Sequence, residues 1–178
     1  MNGAGKPGAP NRPWLIVGVG NEFRSDDGVG PAAALRLRKR LPTVAIEVCD
    51  GQAAHLLTRW TRADTVILID AMCSGAEPGT VRRFEVPPDT IAAPCHLAST
   101  HGVGLAEAVA LGAALDRLPR RLILYAVEGA TFREGIGLSA EVEHAINTVV
   151  ERVIQEAAGA QDDATDASTG GKGSEAES

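Results

Sequence analysis

The stretch GVGNEFRSDDGVG, residues 18–30, decides how the chain folds. It follows the short apolar run WLIV at 14–17, whose β-branched residues predict a buried strand. It precedes PAAALRLRKRL at 31–41, a run of helix formers with proline at its start and basic residues at its end. The stretch is therefore a strand-to-helix turn that carries two adjacent carboxylates, Asp26 and Asp27. One carboxylate near a helix start usually caps it, so the second is a candidate for another role.

The composition predicts a single domain with an aliphatic core. The chain has 178 residues, only 3% of them aromatic, and a net charge of −6, which argues against nucleic acid or an anionic membrane as partner. Its three cysteines lack C-x-x-C spacing, and no signal sequence or membrane-length apolar run is present. These features predict reduced thiols and a cytoplasmic location. We expect a disordered lead at 1–13, one folded domain at 14–156 and a disordered acidic tail at 157–178.

Strand and helix patterns alternate through the domain. The predicted strands cover 14–17, 44–50, 65–70, 80–86 and 121–129, and the predicted helices cover 31–41, 53–60, 103–118 and a last segment after Ser139. The 65–70 strand is the most hydrophobic, which favours a central position. The connection from it to 80–86 is too short for a crossover helix, so 80–86 should run antiparallel at an edge. The prediction is a three-layer α/β fold with a mostly parallel five-stranded sheet, one antiparallel strand and helices on both faces.

Acidic residues follow the predicted strands, and one histidine lies in a loop that could return to the same edge. These residues are Asp27, Asp50, Asp70, Glu128 and His101. Ligands in open α/β sheets bind beyond the carboxyl ends of the strands. Crowded carboxylates repel each other unless a cation joins them, and oxygen ligands with an imidazole suit a borderline divalent metal. Spacing alone leaves metal binding and ordinary structural roles equally open.

Five short motifs stand at the strand ends and loops of this predicted fold. In chain order they are GVGN (18–21) with DDGVG (26–30), DG (50–51), IDA (69–71), STHGVGL (99–105) and GIGLS (135–139). Together they resemble the motifs of hydrogenase maturation proteases, endopeptidases that remove the C-terminal extension from the large subunit of nickel-iron hydrogenases. The resemblance covers nearly the whole of residues 14–156.

The resemblance implies a metal site and a substrate. In that family an acid at the end of the first motif, the aspartate of Asp-Ala and the loop histidine bind metal, which here correspond to Asp27, Asp70 and His101. These three are also the catalytic candidates, with Asp50 as a fourth. The metal is nickel supplied by the loaded large-subunit precursor, with no organic cofactor, and we expect the protease to be a monomer. Gln52 departs from the family pattern, in which a second glycine is common, and this bears on Asp50.

Other interpretations stay open for the site and for the chain. Asp26 is interpreted as a helix cap or turn former outside the site, and Asp50 could merely accept backbone hydrogen bonds in its own turn. A nucleotide-binding module is suggested by Gly18-x-Gly20, but the third glycine of that fingerprint is replaced by Phe23. A non-catalytic binder or chaperone of a hydrogenase subunit would keep the fold without cleavage. No serine or cysteine dyad is recognisable as a nucleophile.

Overall fold

Five strands form one sheet, which a computed structural model describes over residues 14–61, 63–86 and 102–169. The strands are β1 (Trp14–Val19), β2 (Ala45–Cys49), β3 (Thr65–Met72), β4 (Val81–Val86) and β5 (Arg121–Glu128). The helices are α1 (Val29–Arg40), α2 (Ala53–Trp60), α3 (Gly102–Ala114) and α4 (Ala140–Thr169), and a 3-10 turn at Ser25–Gly28 precedes α1. The sheet order is β2-β1-β3-β5-β4, with β4 antiparallel to β5 and the other neighbours parallel.

The predicted fold class is confirmed, with one refinement of the strand order. As expected, β3 is central and β4 is an antiparallel edge strand. However, β4 pairs with β5 and not with β3, its predecessor in the chain, because β3 is already flanked by β1 and β5. Every residue of β3 is buried, which agrees with a strand covered on both faces.

The two faces of the sheet bury separate aliphatic layers. Successive side chains of a strand point to opposite faces. Val66 and Leu68 of β3 therefore pack in the layer shared with α2 and α3, whereas Ile67 and Ile69 pack in the layer shared with α1 and α4. Asp70 is even-numbered like Val66 and Leu68, so it belongs to the face that α2 and α3 cover.

The start of α1 and the end of α3 differ from the sequence expectation. Helix α1 begins at Val29, two residues before Pro31, directly after the 3-10 turn. Helix α3 ends at Ala114, short of residue 118, because Asp116 adopts a φ of +53° and the Arg117 N–H bonds back to the Gly112 carbonyl at 2.8 Å.

The last helix continues through Thr169, thirteen residues past the boundary expected at Glu156. Ala157, which was assigned to a disordered tail, is 5% exposed and packs against the domain. Alanine is the strongest helix former, and 157–169 contains five alanines and no proline, so the helix has no reason to stop at Glu156. The predicted lead at 1–13 and the end of the tail at 170–178 lie outside the described residues. No helix in the described ranges is long and apolar enough to cross a membrane.

Candidate active site

Two glycines let α1 pack directly on the ends of the central strands. A Cβ added at Gly30 would stand 2.2 Å from the carbonyl oxygen of Val19 in β1 and 2.4 Å from that of Ile69 in β3. A Cβ at Gly18 would stand 2.2 Å from the Gly30 carbonyl oxygen. Contacts this close leave no room for any side chain. The start of α1 therefore holds the 3-10 turn against β3, and Asp27 and Asp70 lie at the same rim of the sheet.

Asp27 is buried inside the turn that leads into α1. Its side chain is 1% exposed, and its Oδ2 accepts the Asn21 N–H at 3.1 Å. The loop folds tightly around it: Gly20 has a φ of +139°, and a Cβ there would stand 1.9 Å from the Asp27 carbonyl oxygen. The motif glycines thus fix the position of this carboxylate.

Asp70 is buried near the end of the central strand. It is 1% exposed, and its Oδ1 accepts the N–H of Ala71 at 2.8 Å. Helix α3, which packs in the same layer through Leu105, Ala108 and Val109, begins at Gly102. His101, the residue before it and the third predicted ligand, lies outside the described residues.

The described part of the chain contains no group of three or more His, Cys, Asp or Glu side chains that could hold a metal ion. Of the three predicted ligands, the structure therefore brings Asp27 and Asp70 to one rim and does not place His101. Two carboxylates offer oxygen ligands, and a nitrogen ligand from elsewhere would complete a mixed donor set. The ligand assignment stays a prediction.

Asp26, the neighbour of Asp27, anchors a different loop. It is fully buried, and its Oδ2 accepts hydrogen bonds from the Ala130 N–H at 2.8 Å and the Thr131 N–H at 3.0 Å. Both the backbone N–H (2.6 Å) and the hydroxyl (3.0 Å) of Ser139 also donate to it. Asp26 therefore stays outside the candidate site, as predicted. Yet it caps no turn of α1, and instead fixes the loop between β5 and α4 beside the rim.

Asp50 follows the edge strand β2, and unlike Asp27 and Asp70 it is exposed. Its side chain is 50% exposed and contacts residues of its own turn: His55 Nδ1 lies 3.0 Å from Oδ1, and Gln52 Nε2 donates to Oδ2 at 2.7 Å. The hydrogen bond with His55 is the largest of the causes that lower the pKa of Asp50 to about 2. The Gln52 N–H also donates to Oδ1, at 3.2 Å. The residue that departs from the family pattern is thus a direct partner of this carboxylate.

Glu128 has a structural role that the sequence left undecided. It is 2% exposed, and it accepts the N–H groups of Ser74 and Gly75, each at 2.8 Å, and the Ser74 hydroxyl at 2.7 Å. It therefore fixes the loop after β3. A Ser-Gly pair just past a buried strand is the signal that could have revealed this partner.

The described cysteines differ in their surroundings. Cys73 is exposed, whereas Cys49 is buried and desolvation raises its pKa. Cys73 directly follows β3 and precedes Ser74 and Gly75, whose N–H groups Glu128 accepts.

Comparisons with known proteins identify one family. Residues 32–156 match the family model HycI, described as hydrogenase maturation protease. The chain is 32% identical over 148 residues to the hydrogenase 2 maturation protease of Escherichia coli K12, covering 79% of this chain and 87% of that protein. It is 28% identical over 145 residues to the hydrogenase expression/formation protein HupD of Thiocapsa roseopersicina, covering 79% of this chain but 66% of that longer protein.

A solved structure agrees with this assignment. The hydrogenase maturating endopeptidase HybD of Escherichia coli superposes with a TM-score of 0.67 at 27% identity, covering 81% of this chain and 91% of that one. The five-stranded mixed sheet and its four helices therefore have the architecture of a known endopeptidase of this kind. The chain belongs to the hydrogenase maturation protease family, a family of endopeptidases.

Proposed function

We propose that this protein is a nickel-directed endopeptidase that removes the C-terminal extension of a nickel-iron hydrogenase large-subunit precursor. The observation that carries the proposal is the placement of Asp27 and Asp70, two buried carboxylates from different segments, at one rim of the sheet. Family membership supports the reaction type and the large-subunit precursor as substrate.

The nickel ion belongs to the substrate in this proposal. Asp27, Asp70 and His101 would bind it while it is lodged in the precursor, so that only a loaded precursor is held correctly for cleavage. Nickel held in this way can polarise a carbonyl or acidify a water. The protein's own contribution is to fix the two carboxylates: a backbone N–H group donates to each of them, and the close glycine contacts hold the turn that carries Asp27 against the strands.

Binding of nickel by the protease alone should be weak. Two carboxylates and one imidazole form a modest nickel site, and soft thiolate ligands hold a late transition metal more firmly. We therefore expect little tightly bound metal in the isolated protein, which elemental analysis after dialysis would measure.

The experiment is cleavage of the large-subunit precursor, with and without nickel, followed by mass spectrometry. Asp70→Asn keeps the size of the side chain and an acceptor for the Ala71 N–H, but removes the anionic ligand. We expect this variant and His101→Ala to fold and to lose cleavage. The double variant should be no worse than either single one, because both dismantle the same metal bridge.

His144→Ala is the matched control, since His144 is an exposed histidine on α4. It should cleave at the wild-type rate. Efficient trimming of nickel-free precursor, or an active Asp70→Asn variant, would contradict the proposal. Binding of the precursor without cleavage by the wild type would favour the chaperone alternative.

A further inference from the structure

Two large apolar side chains stand out on the surface beside the candidate site. Ile136 is 84% exposed and Phe23 is 59% exposed, the two highest values among the large hydrophobic residues that the structure describes. Phe23 belongs to the loop between β1 and α1, and Ile136 to the loop between β5 and α4. Both loops follow the carboxyl end of a parallel strand, so they lie at the rim that carries Asp27 and Asp70.

Backbone hydrogen bonds join these two loops next to the exposed side chains. The Gly135 N–H donates to the Phe23 carbonyl at 2.9 Å, and the Ser25 N–H donates to the Gly135 carbonyl at 2.9 Å. The Ser25 hydroxyl adds a bond to the Arg133 carbonyl at 3.0 Å. The backbone of Phe23 is therefore bonded directly to that of Gly135, the residue before Ile136, and we call the exposed side chains of Phe23 and Ile136 the rim patch.

The rim patch is held in place before any partner arrives. The buried Asp26 clamps the second loop to the first through bonds with Ala130, Thr131 and Ser139. Gly135 and Gly137, on either side of Ile136, have φ values of +154° and +102°, which a glycine adopts with little strain. A fixed surface loses little conformational entropy on binding, so more of its contact energy appears as affinity.

Isolated exposed hydrophobic residues are ordinary, but a pair displayed by two clamped loops next to buried acids indicates a contact surface. The charges around the pair cancel, because two acidic and two basic residues adjoin it: Glu22, Arg24, Arg133 and Glu134. A partner would therefore be bound by apolar contact, and its binding should depend little on salt.

We propose that the rim patch binds an apolar segment of the large-subunit precursor close to the bond that is cleaved. This inference rests on the proposed function for the identity of the partner. Phe23 precedes Asp27 by four residues on the same loop, so their backbones are separated by at most about 14 Å. Both loops lie at the rim that carries Asp27, so a protein segment held at Asp27 would pass close to Phe23.

The test measures kcat and KM for cleavage by Phe23→Ser, Ile136→Ser and the double variant. Loss of one anchor that a partner buries partly is worth roughly 1.4 kcal/mol, which is a tenfold change. We therefore expect KM to rise about tenfold in each single variant and further in the double one, with kcat unchanged. The increase should be the same in low and high salt.

Leu35→Ser is the matched control, because Leu35 is 57% exposed, as much as Phe23, but lies on the outer face of α1. Its KM should equal that of the wild type. Thermal unfolding should be nearly unchanged in all of these variants, since each replaces an exposed side chain. An unchanged KM in the double variant, or an equal rise in Leu35→Ser, would overturn the proposal.

The outcomes separate this proposal from the proposed function. If Asp70→Asn remains active while the patch variants show a raised KM, the metal assignment fails and the rim patch stands. If Asp70→Asn is inactive and the patch variants have a normal KM, the rim patch fails alone. Self-association of the wild type that the double variant abolishes would mean that a second copy covers the patch, and would overturn the proposal.

Discussion

The acids at the centre of the sheet and the acid at its edge occupy similar places in the sequence but very different environments. Asp70 lies two residues before the end of the central strand β3 and is 1% exposed, whereas Asp50 follows the edge strand β2 and its side chain is 50% exposed. Asp70 accepts the backbone N–H of Ala71, while Asp50 is in contact with the side chains of Gln52 and His55 in its own turn. An acid after a strand is therefore a weak indicator of a site.

Strand order explains the difference. At the centre, β1 and β3 are adjacent, and the first turn of α1 rests on the carbonyl groups of both through Gly30. Asp70 lies within β3, which has a strand on each side and helices on both faces, so its side chain is buried. At the edge, β2 has a neighbouring strand on one side alone, so the carboxylate after it faces solvent. Burial at a shared rim, not sequence position, distinguishes the candidate site.

The largest expected effect is on the cleavage rate, when a carboxylate is replaced by an amide at Asp27 in the centre or at Asp50 at the edge. Asp27→Asn should reduce cleavage more than about 100-fold, because the proposed function makes Asp27 a direct ligand of the substrate's nickel, and its loss should exceed the 10–100-fold typical of the outer groups that orient ligands. Asp50→Asn should change the rate by less than about threefold, since exposed polar contacts contribute little. The measurement is the initial rate of cleavage of nickel-loaded precursor.

Circular dichroism and thermal unfolding serve as the controls for this pair, since both variants should remain folded. Equal losses of activity in the two variants would break the distinction between centre and edge. An active Asp27→Asn variant would remove Asp27 from the candidate site.

The next effect is on stability and tests how the centre is assembled. Gly30→Ala replaces a helical glycine with the best helix former, a change that would otherwise stabilise a helix by about 1 kcal/mol. Here the new Cβ would stand 2.2–2.4 Å from two backbone oxygens, so we expect destabilisation of about 2 kcal/mol through forced displacement of α1. Urea denaturation measures this free energy of unfolding.

Gly75→Ala provides the comparison for this substitution. Gly75 has a φ of +82° but no atom within 4 Å of its added Cβ, so the cost is backbone strain of about 1 kcal/mol. A stabilised Gly30→Ala variant would show that α1 can shift freely, and that the close contact does not define the rim.

Much of the fold was readable in the sequence because its signals are local. The apolar run of β3 and the strand-to-helix turn at 18–30 identify the centre of an α/β sheet from periodicity and turn chemistry alone. The insertion of β5 between β3 and β4 was not readable, because it depends on which strands pair across long distances in the chain. The extension of α4 past Glu156 was missed since polar composition outweighed the alanines.

The residues of the candidate site also differ in how far the sequence could predict them. Asp27 and Asp70 could be proposed from their motifs, and the structure places both in buried positions at one rim. The different roles of Asp26 and Glu128 could not, since their partners lie 104–113 and 53–54 residues away in the chain. The exposure of Asp50 could not either, because the sequence does not state that β2 is an edge strand.

The smallest expected effect concerns Asp50 and acid stability. Its pKa in the folded protein is about 2, below its usual value of 3.8, chiefly because of the hydrogen bond with His55. A carboxylate with a lowered pKa stabilises the fold above the unfolded pKa and loses this contribution as the pH falls toward the folded one. The free energy of unfolding of the wild type should therefore exceed that of Asp50→Asn at pH 5–7, and the difference should vanish between about pH 4 and pH 2.

The difference should be at most about 1 kcal/mol, because half of the side chain is exposed and water screens its contacts. Urea denaturation of both proteins at a series of pH values measures it, and Gln52→Ala should give a smaller change because His55 remains in place. A difference that persists unchanged at pH 2, or that exceeds 2 kcal/mol at pH 7, would mean that residue 50 affects stability through contacts outside the turn after β2. Asp50 would then be coupled to the fold as a whole, and the contrast between a buried centre and a locally stabilised edge of the sheet would no longer hold.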